Sequence, residues 1–268
     1  MNEKNMSPIE IQDVFGIKPL GETGLEITKA AIKGVSSFLE TVCKPGAEEL
    51  GFLIKDEVRL WRLNNIIRTL EKAQGKMEFD GQNLNLTANA RVGLSIMEGC
   101  SEVDDDGLQE LWAGLFASSC THDGKDDSNM NFVDLLRRMS SVEARILDYA
   151  CIHCKKYIYP NKLIMPDTIS VPFDTLVKIT GTDDVYRLDS ELDHMRSIEL
   201  LVQGHSFVRD AGGFTASDQL DANITPSALA LNLYFRTHST GITPKEFWGN
   251  SLMPRNTDDD EKEATNVI

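Results

Sequence analysis

The sequence predicts a mainly α-helical protein: an N-terminal helical region, then a winged-helix-like C-terminal subdomain with a small β-hairpin. Three observations predict it. Apolar residues from Leu25 to Met139 recur mostly at spacings of three and four, the period of a helix with one buried stripe. Pro160, Pro166 and Pro172 then break the chain into extended pieces. Beyond Pro172 the chain reads as short helix, turn, longer helix, glycine turn and helix, the order of a helix-turn-helix with a β-wing.

Residues 1–22 show little periodicity and read as a loose arm. Leu25, Thr28, Ile32, Val35, Leu39 and Val42 form the narrow stripe of an amphipathic helix. Lys44-Pro45-Gly46 should stop it, because proline disfavours helix at the residue before it and glycine tolerates a turn. Residues 47–77 hold the longest helical pattern, with Leu50, Ile54, Val58, Trp61, Leu63, Ile66, Ile67 and Leu70 on its apolar face. Acids crowd its start, where they complement the helix dipole. Its arginines and lysines lie among these acids, which reads as a solvated face with i,i+4 pairs. A polar loop follows over 75–87. Helices are predicted over 88–100, 108–119 and 132–139, the second burying Leu111, Trp112, Leu115 and Phe116. Between the last two, residues 121–130 (THDGKDDSNM) are almost without apolar content and read as a solvent loop and a site of mobility.

Ser140 offers an N-cap and Glu143 sits at the capping-box position for a helix over 144–158. Phe173–Ile179 is a short helix, Gly181–Asp184 a turn, and Val185–Leu201 a longer helix. Val202–Val208 and the residues from Phe214 read as strands around the Asp210–Gly213 turn. Thr225 as N-cap, with Pro226 at the first helical position, starts a helix over 228–235. Residues 256–268 are acidic and polar and read as disordered. The predicted organisation is an arm over 1–22, a helical domain over 23–139, a winged-helix-like subdomain over 140–240 and a C-terminal segment over 241–268.

The chain has 268 residues, 42 acidic and 27 basic, for a formal charge of −15. That excess argues against broad nucleic-acid affinity, which depends on Lys and Arg. No apolar run is long enough to span a bilayer, and no secretory signal is evident, so a cytoplasmic location is expected. The five cysteines, an odd count without a framework, read as reduced thiols.

Candidate chemistry is sparse. Cys151-Ile152-His153-Cys154 is a CxxC, but no second ligand pair completes a zinc site, and the pair lies late in a helix rather than at a redox helix start. The acids of Glu102–Asp106 lack calcium-loop spacing and read as helix N-terminal charges. The five histidines are dispersed, and no nucleophile elbow or phosphate-binding loop occurs. No catalytic, metal or cofactor site is therefore expected. On the helix that would read DNA, Asp189, Glu191 and Asp193 outweigh Arg196, so the fold is expected to serve protein contact rather than duplex binding. Trp61 and Trp112 lie on apolar stripes and are expected in the core. Trp248 is placed to tuck the C-terminal segment onto the body.

Three stretches resemble a known family. The first runs from Pro45-Gly46-Ala47-Glu48-Glu49-Leu50-Gly51 through Asp56, Arg59, Trp61, Arg62 and Asn65 to Leu70-Glu71-Lys72-Ala73. The second is Asp106 with Leu108-Gln109-Glu110-Leu111-Trp112-Ala113-Gly114-Leu115. The third is Phe132-Val133, Leu136 to Met139-Ser140, Glu143-Ala144 and Ile146-Leu147. Together they resemble the abortive infection alpha family of bacterial anti-phage defence over about residues 40–150, departing where Gly114 replaces a larger residue. The resemblance implies a sensor or effector working through a protein partner, and it brings no catalytic motif. The contact surface expected is Arg59, Arg62 and Arg68 with the 121–130 loop. The alternatives are a winged-helix transcriptional regulator and a membrane-active effector using the helix at 24–42.

Overall fold

The computed structural model describes residues 29–46, 57–77, 86–202, 207 and 220–254; the side chains of 29, 30, 32 and 57–60 lie outside that description. The expected arm over 1–22, the start of the first helix and the acidic tail fall outside the described residues. The chain divides into two compact units, Met1–Arg137 and Arg138–Ile268.

The first unit is helical. Helix α1 (Lys29–Val42) buries Val35, Phe38, Leu39 and Val42, the expected stripe. Residues 44–46 are helical rather than a stop, and the break falls at Cys43. Proline is compatible with the first turn of a helix, where its missing N–H has no partner to lose. Helix α2 (Glu57–Lys76) buries Leu63, Ile66, Ile67, Leu70 and Ala73 and packs on α4 (Asp106–Ser118). Helix α3 (Ala90–Cys100) is capped by Asn89, whose side chain accepts from the N–H groups of Arg91 and Val92. Strand β1 (Thr87–Ala88) pairs antiparallel with β2 (Cys120–Thr121). Helix α5 (Met130–Arg138) buries Phe132, Val133, Leu135 and Leu136. Trp112 is 0% exposed, as expected, and Phe116 meets Phe38 with ring centroids 5.9 Å apart. Trp61 departs from its expected core position: it is 37% exposed. At 100° per residue Trp61 stands about 160° from Leu63, so the two cannot both face one neighbour.

The second unit mixes helices with short strands. Helix α6 (Ser141–His153) starts in the predicted capping box, with both Ser140 and Glu143 bonds made. It ends five residues earlier than expected. Cys154 turns extended, and β3 (Lys156–Ile158) pairs antiparallel with β4 (Ile164–Pro166), so sheet pairing takes these residues from the helix. Strand β5 (Ile169–Pro172) leads into α7 (Phe173–Thr180), which ends on Gly181 at φ 75°, the predicted turn. Helix α8 (Val185–Ser197) is shorter than the predicted 185–201. Glu199 adopts φ 63°, and the Leu200 N–H reaches back to the Met195 carbonyl, a left-handed stop that no glycine announces.

Strand β6 (Asp221–Ile224) pairs antiparallel with β5, and Phe207 bridges Ala222 on the same strand. The rest of the expected hairpin, 203–206 and 208–219, lies outside the described residues. Helix α9 (Ala228–His238) is capped by Ser227, not Thr225. Pro226 instead bridges Leu201, which keeps Thr225 and Pro226 extended. After α9 come α10 (Pro244–Trp248) and β7 (Leu252–Pro254), which runs parallel to β3 and completes a sheet of order β4–β3–β7.

Candidate functional site

In the first unit, the expected contact residues lie on α2. Arg62 is half-buried and tied down: its Nη2 is 2.7 Å from Glu102 Oε1, and its Nε donates to Ser101 Oγ at 3.0 Å. Buried Asn65 donates to the Ser101 carbonyl at 3.0 Å. Arg68 is exposed. The six-step separation of Arg62 and Arg68 turns the helix through about 600°, so the two lie on different faces. Arg59 lies on α2, and its side chain falls outside the described residues. Further along, Lys72 Nζ meets Asp106 Oδ1 at 2.5 Å and Glu110 Oε1 at 3.2 Å, and Lys76 Nζ meets Glu110 Oε2 at 2.8 Å. The hydrogen bond from Lys72 holds the Asp106 carboxyl below its ordinary range. Burial pushes Glu110 up, but the two lysines outweigh it, and the net shift is downward.

Glu102, Asp105 and Asp106 of the acidic run 102–106 therefore serve as helix contacts. Asp105 caps α4 by accepting from the Leu108 N–H. The loop over 121–130 is braced by its own side chains: Asp123 accepts from the Lys125 N–H at 3.2 Å and Asp126 from the Ser128 N–H at 2.9 Å. At its end, buried Asn129 donates to Ser119 Oγ at 2.8 Å. His122, Asp123 and Lys125 to Ser128 remain exposed.

The second unit gathers a polar network that the sequence reading missed. Glu143 is 0% exposed. Its Oε2 accepts from the Ser140 N–H at 2.8 Å, and its Oε1 stands 2.5 Å from His194 Nδ1 on α8. Ser140 Oγ donates to Glu191 Oε2 at 2.6 Å, and Arg187 reaches Glu191 Oε1 at 3.4 Å. Burial pushes the Glu143 carboxyl up, against the opposing pull of the Ser140 N–H and His194. Glu191 and His194, both on the helix expected to read DNA, thus turn toward α6. Asp189 and Asp193 stay exposed, as does Tyr186 at 89%. The capping-box spacing signals Ser140 and Glu143; nothing in it signals the partners on α8.

The CxxC pair is buried. Burial pushes both thiols up, Cys151 well above its ordinary value. Beside them, Lys156 is only 2% exposed. Its Nζ donates to the carbonyls of Cys154 at 2.9 Å and Ile152 at 3.4 Å, satisfying the end of α6, and lies 4.5 Å from the Trp248 ring centroid. Trp248 does tuck onto the body, stacking on Tyr234 with centroids 5.5 Å apart. Among the described residues no group of three or more His, Cys, Asp or Glu is placed to hold a metal ion.

Compared with known families, the model described as abortive infection alpha matches residues 62–223. The chain belongs to the abortive infection alpha family. No curated protein and no solved structure matches it. The matched span begins at Arg62 on α2 and ends at Asn223 on β6, reaching past the stretch of resemblance into the second unit. Family membership gives physical sense to the three motifs. In this abortive infection alpha protein, Lys72 of the first motif and Glu110 of the second are an ion pair, and Trp112 is a fully buried anchor. Ser140 and Glu143 of the third form the capping box. Among the described residues no helix is long and apolar enough to cross a membrane.

Proposed function

We propose that this abortive infection alpha protein acts in anti-phage defence, in the cytosol, as a sensor or effector that works by contacting a protein partner. The family match over 62–223 carries the reading. Its support in the structure is that, within each unit, polar side chains are engaged by neighbours of the same unit rather than gathered at a reactive cluster: Arg62 by Glu102 and Lys72 by Asp106 in the first, Glu143 by His194 in the second. Of the expected contact set, Arg59, Arg62 and Arg68 with the 121–130 loop, the part we assign as the contact surface is Arg68 and the exposed loop charges, because Arg62 is held by Glu102 on another face of α2.

The finer fold assignment belongs to this proposal. With the β3–β4 pair inserted after α6, the remaining order of α6, β5, α7, α8 and β6, with β5 and β6 paired, supports a winged-helix reading. The same order supports a second reading, a DNA-binding regulator. The exposed acids Asp189 and Asp193 disfavour it, since phosphate attraction needs cations there.

The test is phage plating on a strain expressing the protein, beside Arg68→Glu. Wild type should reduce plaque formation with loss of infected cells. Arg68→Glu should lose that protection while its stability stays within about 0.5 kcal/mol, as for an exposed substitution. Unchanged plating and host survival across diverse phages would refute the role. Submicromolar binding of duplex DNA at roughly 150 mM salt would favour the regulator.

A further inference from the structure

The C-terminal segment Thr243–Pro254 lies over a buried cation. Helix α10 has a capping box at Thr243 and Glu246 but no buried residue, and the neighbouring turn Gly249–Ser251 has none either. The segment is held by two aromatic side chains and a three-residue ladder. Phe247 packs edge-on against Phe235 at 5.5 Å, Trp248 stacks on Tyr234, and β7 pairs with β3 from Lys156↔Leu252 to Ile158↔Pro254. Its link to α9 is an exposed stretch with Gly241 at φ 72°.

Beneath it sits the Lys156 ammonium, with two carbonyl acceptors and the Trp248 ring in place of water. Desolvating a charge is costly, so hydrating this group favours an open form. The closing contacts are few and shallow, the marks of a segment that opens well below the global unfolding free energy. We infer that Thr243–Pro254 is a releasable strap, whose opening bares Lys156 and the β3 edge while the rest of the second unit stays folded.

The cysteines report on this directly. Cys154, whose carbonyl accepts from the Lys156 ammonium that the strap covers, is 4% exposed, whereas Cys100 and Cys120 are buried in the first unit. Labelling of native protein with a disulfide reagent such as dithionitrobenzoate is followed by mass spectrometry across sub-denaturing urea. In wild type, Cys154 should label at a rate nearly independent of urea, because a strap opening exposes little surface, while Cys100 labelling climbs steeply with urea. Trp248→Ala should speed Cys154 labelling about tenfold or more and leave Cys100 and Cys120 unchanged. A Cys154 rate with the urea dependence of Cys100, or a Trp248→Ala rate equal to wild type, overturns the strap. So does a parallel rise at all sites. The wild-type urea series decides the matter even if Trp248→Ala does not fold.

Discussion

Gly99→Ala offers a test of the first unit's packing in which the sign of the effect carries the answer. Gly99 lies on α3, one residue before its end, and faces the Trp112 indole. A β-carbon at Gly99 would stand 2.8 Å from Trp112 Cζ2 and 3.1 Å from Cζ3, and closer still to Cη2. Carbon pairs normally settle at about 3.5–4.0 Å, so the ring or the helix must shift. Trp112 is fully buried and has no solvent to move into.

Overpacking of this kind costs about 1–3 kcal/mol. Against it stands the gain from replacing a helical glycine by alanine, about 1 kcal/mol. The overlap is with a rigid ring rather than a flexible chain end, which puts the clash toward the upper part of its range. The net expectation is a destabilisation of about 1–2 kcal/mol. Urea unfolding followed by far-ultraviolet circular dichroism measures it. Trp112→Phe removes the clashing benzo edge, so in that background Gly99→Ala should be neutral or stabilising, with a coupling of about 1–3 kcal/mol. A stabilising Gly99→Ala in the wild-type background, or additive effects in the double mutant, would refute this packing of α3 on α4.

Other expectations follow from the polar network and the thiols. Ser140→Ala removes both the α6 cap and the link to Glu191 and should lower stability by about 1 kcal/mol, read as a fall in urea midpoint. Glu143 has its folded-state pKa raised, so the folded form holds its proton to higher pH than the unfolded form does. Stability from this group is therefore present at low pH and lost as pH rises from the ordinary carboxylate range through the raised folded value. Unfolding at a series of pH values should show wild type gaining on Glu143→Gln with acidification; an advantage growing with pH would contradict this. Burial raises the Cys100 and Cys120 thiols to about 12, so both should resist iodoacetamide at pH 8 until denaturant is added.

Much of the helical content was legible because burial on one face imposes a period. Val35 and Leu39, Leu63 to Leu70, Leu111 to Phe116 and Leu188 to Met195 all behave as their spacing says. The capping box at Ser140 and the turn at Gly181 were legible too, since each depends on atoms within a few residues. Boundaries were less so. The strand at Lys156 competes with continuation of α6, and only its partners β4 and β7 resolve the competition. The end of α8 at Ser197 depends on a left-handed Glu199, a conformation that a glutamate does not advertise.

By itself, then, the sequence determined the helical class, the main core stripes, the local caps and the family, all properties that repeat within a turn or two of chain. Tertiary structure alone decided that Trp61 faces outward, that Lys156 is buried beneath Trp248, and that Glu143 meets His194. Those pairs are separated by tens of residues. Their energies depend on which faces meet and how much water is excluded, and neither quantity has a period that a linear reading can detect.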